Sequence, residues 1–166
     1  MEPSFDKKGC PPFRPTLDGC VGRDPRMAKL LEGCYRNELY AVSAYTYRSL
    51  MCEPIDREVA DLFDAIAVEE SEHFRLIGQL IVALGGNPEI SAQLRVHTES
   101  LAREDSAQGA RGVRQMLLRS VREEKASIER YQTLMGSTQD RVVRSLLAHI
   151  LSNEQYHIDQ LQRALP

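Results

Sequence analysis

Nowhere in these 166 residues do two cysteines stand as Cys-x-x-Cys. The four that occur, Cys10, Cys20, Cys34 and Cys52, therefore encode neither a zinc ribbon nor a rubredoxin-type iron site. Cys34 and Cys52 are expected as buried thiols on or at the end of a helix, and Cys10 and Cys20 as free thiols in a Pro-rich arm. No apolar run approaches the roughly 18 residues that a membrane helix needs, and the opening MEPSFDKKGC has no apolar signal-like region. A cytoplasmic protein is the expectation. A large charge of one sign is also lacking: a net value of −3 offers no surface suited to nucleic acid or to an anionic membrane. Nor does any segment alternate with a period of two, so almost no sheet is expected.

What is present is helix. A charged fraction of 27% and a hydrophobic fraction of 42% are ordinary for a globular chain, and this length suits one domain with a real core. The first helical segment runs from about Pro25 to Cys52, with Asp24 as its N-cap and Pro54 beyond its end. The second runs from about Ile55 to Leu84 and stops at Gly85-Gly86-Asn87-Pro88. The third runs from roughly Gln108 to Met135, and the fourth from about Ser137 to Ala164, opened by Ser137-Thr138. Residues 1–24 read as an extended arm lying on the bundle that residues 25–166 form. Short joints make the first two helices one antiparallel hairpin and the last two another, whereas the joint from Gly85 to Ala107 can span a whole helix. The pattern is that of an all-α, antiparallel four-helix bundle with one long crossover between helices two and three.

The chemistry sits in the apolar stripes. In the second helix Val59, Phe63, Ile66, Ile77, Leu80 and Leu84 step by fours and threes, and the same rhythm places Glu70 and His73 in the gap between Ile66 and Ile77. The fourth helix repeats this as Val143, Leu147, Ile150, Glu154, His157, Leu161 and Ala164. The first helix carries Leu31, Cys34, Glu38, Ala41 and Tyr45, and the third Val113, Leu117, Ser120, Glu124, Ser127, Tyr131 and Leu134. The chain thus holds two copies of one unit, a helix with Glu-x6-Tyr followed by a helix with Glu-x2-His. Ala41 and Ser127 are small where the other helices place histidine, which leaves space for the imidazoles.

A Glu and a His three residues apart are usually a solvated pair worth a few tenths of a kcal/mol. Glu69, Glu72, Glu123 and Glu129, off the stripes, take that reading. Four carboxylates in one apolar layer are different, because each would cost several kcal/mol unpaired and no Lys or Arg is expected on the stripes near them. Two divalent cations would neutralise the four, and the two imidazoles would complete the ligand set. Mixed oxygen and nitrogen donors suit iron, or alternatively manganese, better than metals that prefer thiolates. This is the dinuclear carboxylate pattern already described for four-helix bundles. Tyr45 and Tyr131 are either plain core aromatics or groups that support the ligands from behind.

The segments NELYAVSAYTYRSL, IAVEESEHFRLIGQLIVALGGNP, REEKASIERYQTL and LAHILSNEQYHIDQL resemble the four helices of the ferritin-like superfamily, in its rubrerythrin-like branch. By that resemblance Glu38 and Glu124 each bind one metal, Glu70 and Glu154 bridge both, and His73 and His157 cap one each. Rubrerythrins proper carry a further carboxylate where this chain has Ser127, and the haem-binding Met of bacterioferritin is replaced here by Ser71. The resemblance implies a di-iron oxidoreductase that reacts with hydrogen peroxide or O₂, draws on an external electron donor, and works as a homodimer or higher homo-oligomer. Beside it stand a di-manganese catalase, an iron-storage ferroxidase, and a non-enzymatic metal-binding or structural bundle.

Overall fold

The computed structural model describes residues 22–90 and 109–166. Four helices make up its regular structure: α1 (Pro25–Cys52), α2 (Arg57–Ala83), α3 (Gly109–Gly136) and α4 (Arg141–Arg163). No strand occurs among the described residues. The arm before residue 22, with Cys10 and Cys20, lies outside the described residues, as do residue Gln108 and most of the expected crossover.

Local chemistry sets the helix ends. The Asp24 carboxylate accepts from Met27 N at 2.9 Å with Pro25 opening α1, as the sequence leads one to expect. At α2 the expected start moves two residues on, because Asp56 is the cap and accepts from Val59 N, while residues 53–55 form a turn. The start of α4 moves further. Asp140 accepts from both Val142 N and Val143 N, which satisfies two of the unpaired amides of a first turn. Ser137 instead donates its hydroxyl to Leu134 O at the end of α3, and Thr138 Oγ1 accepts from Asp140 N. The end of α2 is a Schellman turn: Gly86 N donates to Ile81 O and Gly85 N to Val82 O, with Gly85 at φ +87°. A Cβ on Gly86 would stand 2.7 Å from Ala28 Cβ, so α1 can pass close only because nothing is there.

The packing fixes the topology. One apolar cluster gathers Met27, Leu31 and Tyr35 from early α1, Ile77, Leu80 and Leu84 from the end of α2, Tyr131 and Leu134 from late α3, and Val143 and Leu147 from early α4. The other gathers Tyr45 and Cys52, Val59 and Phe63, Val113 and Leu117, and Ile158 and Leu161. Hence α1 runs antiparallel to α2 and to α3, and α2 and α3 end at the same pole of the bundle. A joint between two parallel helices must travel back along the bundle, about 40 Å for the 27 residues of α2. The 25 residues between Ala83 and Gly109 have the reach to do so. Between the two apolar clusters lies a polar layer that belongs to neither.

Candidate metal centre

Each helix contributes to that layer. Glu38 comes from α1, Glu70 and His73 from α2, Glu124 from α3, and Glu154 and His157 from α4, and none is more than 3% exposed. The structure therefore brings all six stripe residues together. They form two overlapping groups, one of Glu38, Glu70, His73 and Glu154, the other of Glu70, Glu124, Glu154 and His157. Within each group the candidate ligand atoms lie within 4.8 Å of one another. His73 Nδ1 stands 3.2 Å from Glu70 Oε2 and 3.6 Å from both Glu38 Oε2 and Glu154 Oε1. His157 Nδ1 stands 3.2 Å from Glu70 Oε1, 3.4 Å from Glu154 Oε2 and 3.7 Å from Glu124 Oε1. Glu70 and Glu154 thus each turn one oxygen toward each half, and both imidazoles present Nδ1 inward.

Several of these atoms have no hydrogen-bond partner: Glu38 Oε2, Glu70 Oε1, Glu154 Oε2 and His157 Nδ1. Buried polar atoms left without partners are costly; three of these meet beside His157 and Glu38 Oε2 lies beside His73, in the two groups that could each hold a metal ion. Without cations the layer is held together by protons. Burial, then the charge of Glu70, pushes the Glu38 carboxyl well above the usual carboxylate range; burial and Glu154 do the same to Glu124. Burial also works against charge on Glu70, but His73 and His157 overcome it and hold Glu70 well below that range. Burial opposes a charged His73 and a charged His157 as well. Glu70 and Glu38 raise the first far above an ordinary imidazole, and Glu154, Glu69 and Glu70 raise the second.

The tyrosines back the outer carboxylates crosswise. Tyr45 of α1 donates its hydroxyl to Glu124 of α3, and Tyr131 of α3 donates to Glu38 of α1. Both phenols are buried, and burial together with the carboxylate each one faces pushes them well above their ordinary value. They are hydrogen-bond donors to these candidate ligand carboxylates as well as core aromatics. Burial, and then Glu38, pushes the Cys34 thiol up to about 12, so it stays a thiol one turn from Glu38.

Four residues around the centre have partners that the sequence pattern does not show, and Glu69, expected to be merely solvated, is one of them. Glu69 accepts from His157 Nε2 at 3.0 Å, and the side-chain amide of Asn153 meets His73 Nε2 at 3.1 Å. Each directly precedes a two-sided carboxylate, Glu70 or Glu154, so the duplicated unit itself held the signal. Arg48 is fully buried and corrects the expectation that no cation lies on the stripes, since it is the step after Tyr45. Its guanidinium donates to Ser120 Oγ at 2.9 Å and to Glu123 Oε2 at 2.7 Å. Glu123, expected to be merely solvated, is instead bound by Arg48 and Arg119; although burial raises it, Arg48 keeps its carboxyl below the usual range. Arg48 is the only buried Lys or Arg among the described residues, and it is matched to Glu123 rather than to the four layer carboxylates. Glu72 and Glu129 are at the surface, as expected.

A family profile for the ferritin-like domain matches residues 28–165. The chain belongs to the ferritin-like family. Among solved structures the ferritin-like bundle is similar to a dodecameric thioferritin, the bacterioferritin-related protein from Bacteroides fragilis, at 28% identity and TM-score 0.69, covering 89% of this chain and 88% of that one. Mycobacterium tuberculosis bacterioferritin shares the fold at 23% identity and TM-score 0.68, over 86% of each chain. Rhodobacter capsulatus bacterioferritin, described with a metal-free dinuclear site and a haem iron, shares it at 21% identity and TM-score 0.69, over 86% of this chain and 85% of that one. Comparison with curated protein sequences finds no match. No helix among the described residues is long and apolar enough to cross a membrane.

Proposed function

We propose that this ferritin-like chain is a ferroxidase: it binds two ferrous ions per bundle as substrate and passes their electrons to O₂ or hydrogen peroxide, as the subunit of a homo-oligomer that stores or detoxifies iron. The observation that carries this reading is the division of Glu70 and Glu154, each with one oxygen toward either half of the layer. Four carboxylates balance two divalent ions in charge, and all six donors are oxygen or imidazole nitrogen, which suits iron. Manganese has no observation in its favour, and similarity to bacterioferritins supports iron.

The electron count is simple. Two Fe²⁺ give one electron each; O₂ takes both with two protons and leaves as hydrogen peroxide, or hydrogen peroxide takes both with two protons and leaves as two waters. Iron is itself the reductant, so no external donor is required, in contrast to a rubrerythrin-type peroxidase. The protein's share is placement. Glu38, Glu70, His73 and Glu154 would hold one ion, and Glu70, Glu124, Glu154 and His157 the other. Tyr45 and Tyr131 fix Glu124 and Glu38 by hydrogen bonds, and the apolar clusters at either side keep bulk water from the layer.

Anaerobic titration with Fe²⁺, followed by O₂ or peroxide, tests the reading. Two ions should bind per chain, and each pair should yield two Fe³⁺ with one O₂ or one peroxide consumed. Turnover should continue for as long as Fe²⁺ is supplied, and sizing should give an assembly well above a monomer. Peroxide consumption that stops without added reduced rubredoxin and resumes with it would favour the peroxidase reading. Peroxide loss without reductant in manganese-loaded protein would favour the catalase.

A further inference from the structure

The duplicated unit invites the view that the two halves of the centre are equivalent, and their outer surroundings show otherwise. Superposing the repeats pairs Glu38 with Glu124, Tyr45 with Tyr131, Glu70 with Glu154 and His73 with His157, all identical in kind. The same superposition pairs Glu69 with Asn153, and these are the residues that meet the outer nitrogens of the two imidazoles. His157 is backed by a carboxylate, and His73 by an amide. An imidazole that ligates through Nδ1 must keep its proton on Nε2. Glu69 accepts that proton in a charge-assisted bond, which makes His157 a stronger donor to an ion and adds a negative charge nearby. Asn153 is neutral, and its side-chain amide stands 3.1 Å from His73 Nε2. To the Nε2 proton it can offer only the neutral Oδ1 as acceptor, a weaker partner than a carboxylate. Arg48, the only buried Lys or Arg among the described residues, does not reverse the difference, because Glu123 matches it at 2.7 Å.

We infer that the two metal positions are unequal and fill in order, the Glu124/His157 position first and the Glu38/His73 position second, with Glu69 and Asn153 as the positioning residues that set the order. The inference rests on the dinuclear reading above and adds a division of labour to it: a tightly held ion beside Glu69, and a more weakly held, exchangeable one beside Asn153. For a ferroxidase the second is the position from which iron would leave. Outer partners of this type alter metal affinity by about 10- to 100-fold.

The test uses Co²⁺ alone, with no oxidant. Crystals of the full chain equilibrated with one equivalent of Co²⁺ per chain should show anomalous density chiefly at the Glu124/His157 position, and with two equivalents at both. In solution, calorimetric titration should show a tight and a weaker equivalent separated by about tenfold or more. Glu69→Gln leaves an amide on both sides and should weaken the first equivalent until the two merge. Asn153→Asp leaves a carboxylate on both sides and should tighten the second; it also serves as the independent arm if Glu69→Gln does not fold. Equal density at both positions with one equivalent, or density chiefly beside His73, overturns the inference while leaving the dinuclear reading intact. Failure to bind any Co²⁺ overturns the dinuclear reading and the order with it.

Discussion

Loading the centre exchanges protons for cations, and the size of that exchange can be worked out. In the metal-free layer Glu38, Glu124, His73 and His157 all hold protons more tightly than free groups do. Each ion enters a half that contains one such carboxyl and one such imidazole, so up to two protons leave per ion. Two released protons change the apparent affinity by about 100-fold per pH unit. An ion present at about 100 times its Kd stabilises the fold by about 2.7 kcal/mol, and two ions by about 5 kcal/mol. At about 2–4 °C per kcal/mol for a domain of this size, chelation should lower Tm by about 10–20 °C near neutral pH. The pH dependence has a definite sign. The raised carboxyls give the metal-free protein stability that is complete below an ordinary carboxylate pKa and is lost as pH climbs through the raised values. The raised imidazoles act in the same direction, complete below about 6.5 and lost as pH climbs through their raised values. Glu70, held low, acts oppositely and gives up its contribution only as pH falls through its depressed value. Metal-free protein should therefore be most stable in mild acid, and the gain from metal should be larger at about pH 7.5 than at about pH 5.5. Melting curves with and without chelator at both values measure the gain, and titration calorimetry in buffers of different ionisation enthalpy counts the protons. An unchanged Tm after verified metal removal, or binding with no proton release, would refute the reasoning.

Glu124→Gln should halve or abolish bound metal, whereas Glu123→Gln should keep two ions per chain and lose about 1–3 kcal/mol of stability in urea, a figure reduced for partial exposure of the Arg48–Glu123 pair. Tyr45→Phe and Tyr131→Phe each remove a hydrogen bond to a buried carboxyl and should cost about 1–3 kcal/mol, read by denaturant melts of metal-free protein; no loss from either would show that the phenols are only core aromatics. Gly86→Ala should cost about 1–3 kcal/mol, because its Cβ would meet Ala28 Cβ and, at 2.9 Å, Ile81 Cγ2; metal content should not change, as metal analysis would check.

What was legible in the sequence was whatever helical periodicity carries. Asp24-Pro25 marks a helix start by chemistry that needs no neighbour, and α1 has the bounds expected of it. The six layer residues sit on stripes that are otherwise mostly apolar, so their burial could be read from spacing. Glu69 and Asn153 could not be read in this way. One residue before a stripe position lies about 100° around the helix, and whether that flank meets solvent or an imidazole depends on how α2 and α4 pack. The start of α4 was misplaced because Ser137, Thr138 and Asp140 are all competent caps, and only the turn geometry decides which carboxylate or hydroxyl reaches the free amides. Arg48 was available on its stripe; its partner Glu123, on another helix, was not.

The duplicated layout has a consequence for the order of folding. Glu38, Glu70 and His73 belong to the α1–α2 hairpin but need Glu154 from the other hairpin, and Glu124, Glu154 and His157 need Glu70 in return. The crosswise tyrosine bonds join α1 to α3 in the same reciprocal way. Neither hairpin alone can assemble four donors around one ion, and 25 residues separate α2 from α3, so bringing the hairpins together carries a chain-closure cost. Ion capture would therefore be a late event that follows the docking of the hairpins. Once made, it would act as a latch on that docking step, slowing the separation of the hairpins more than it speeds their formation.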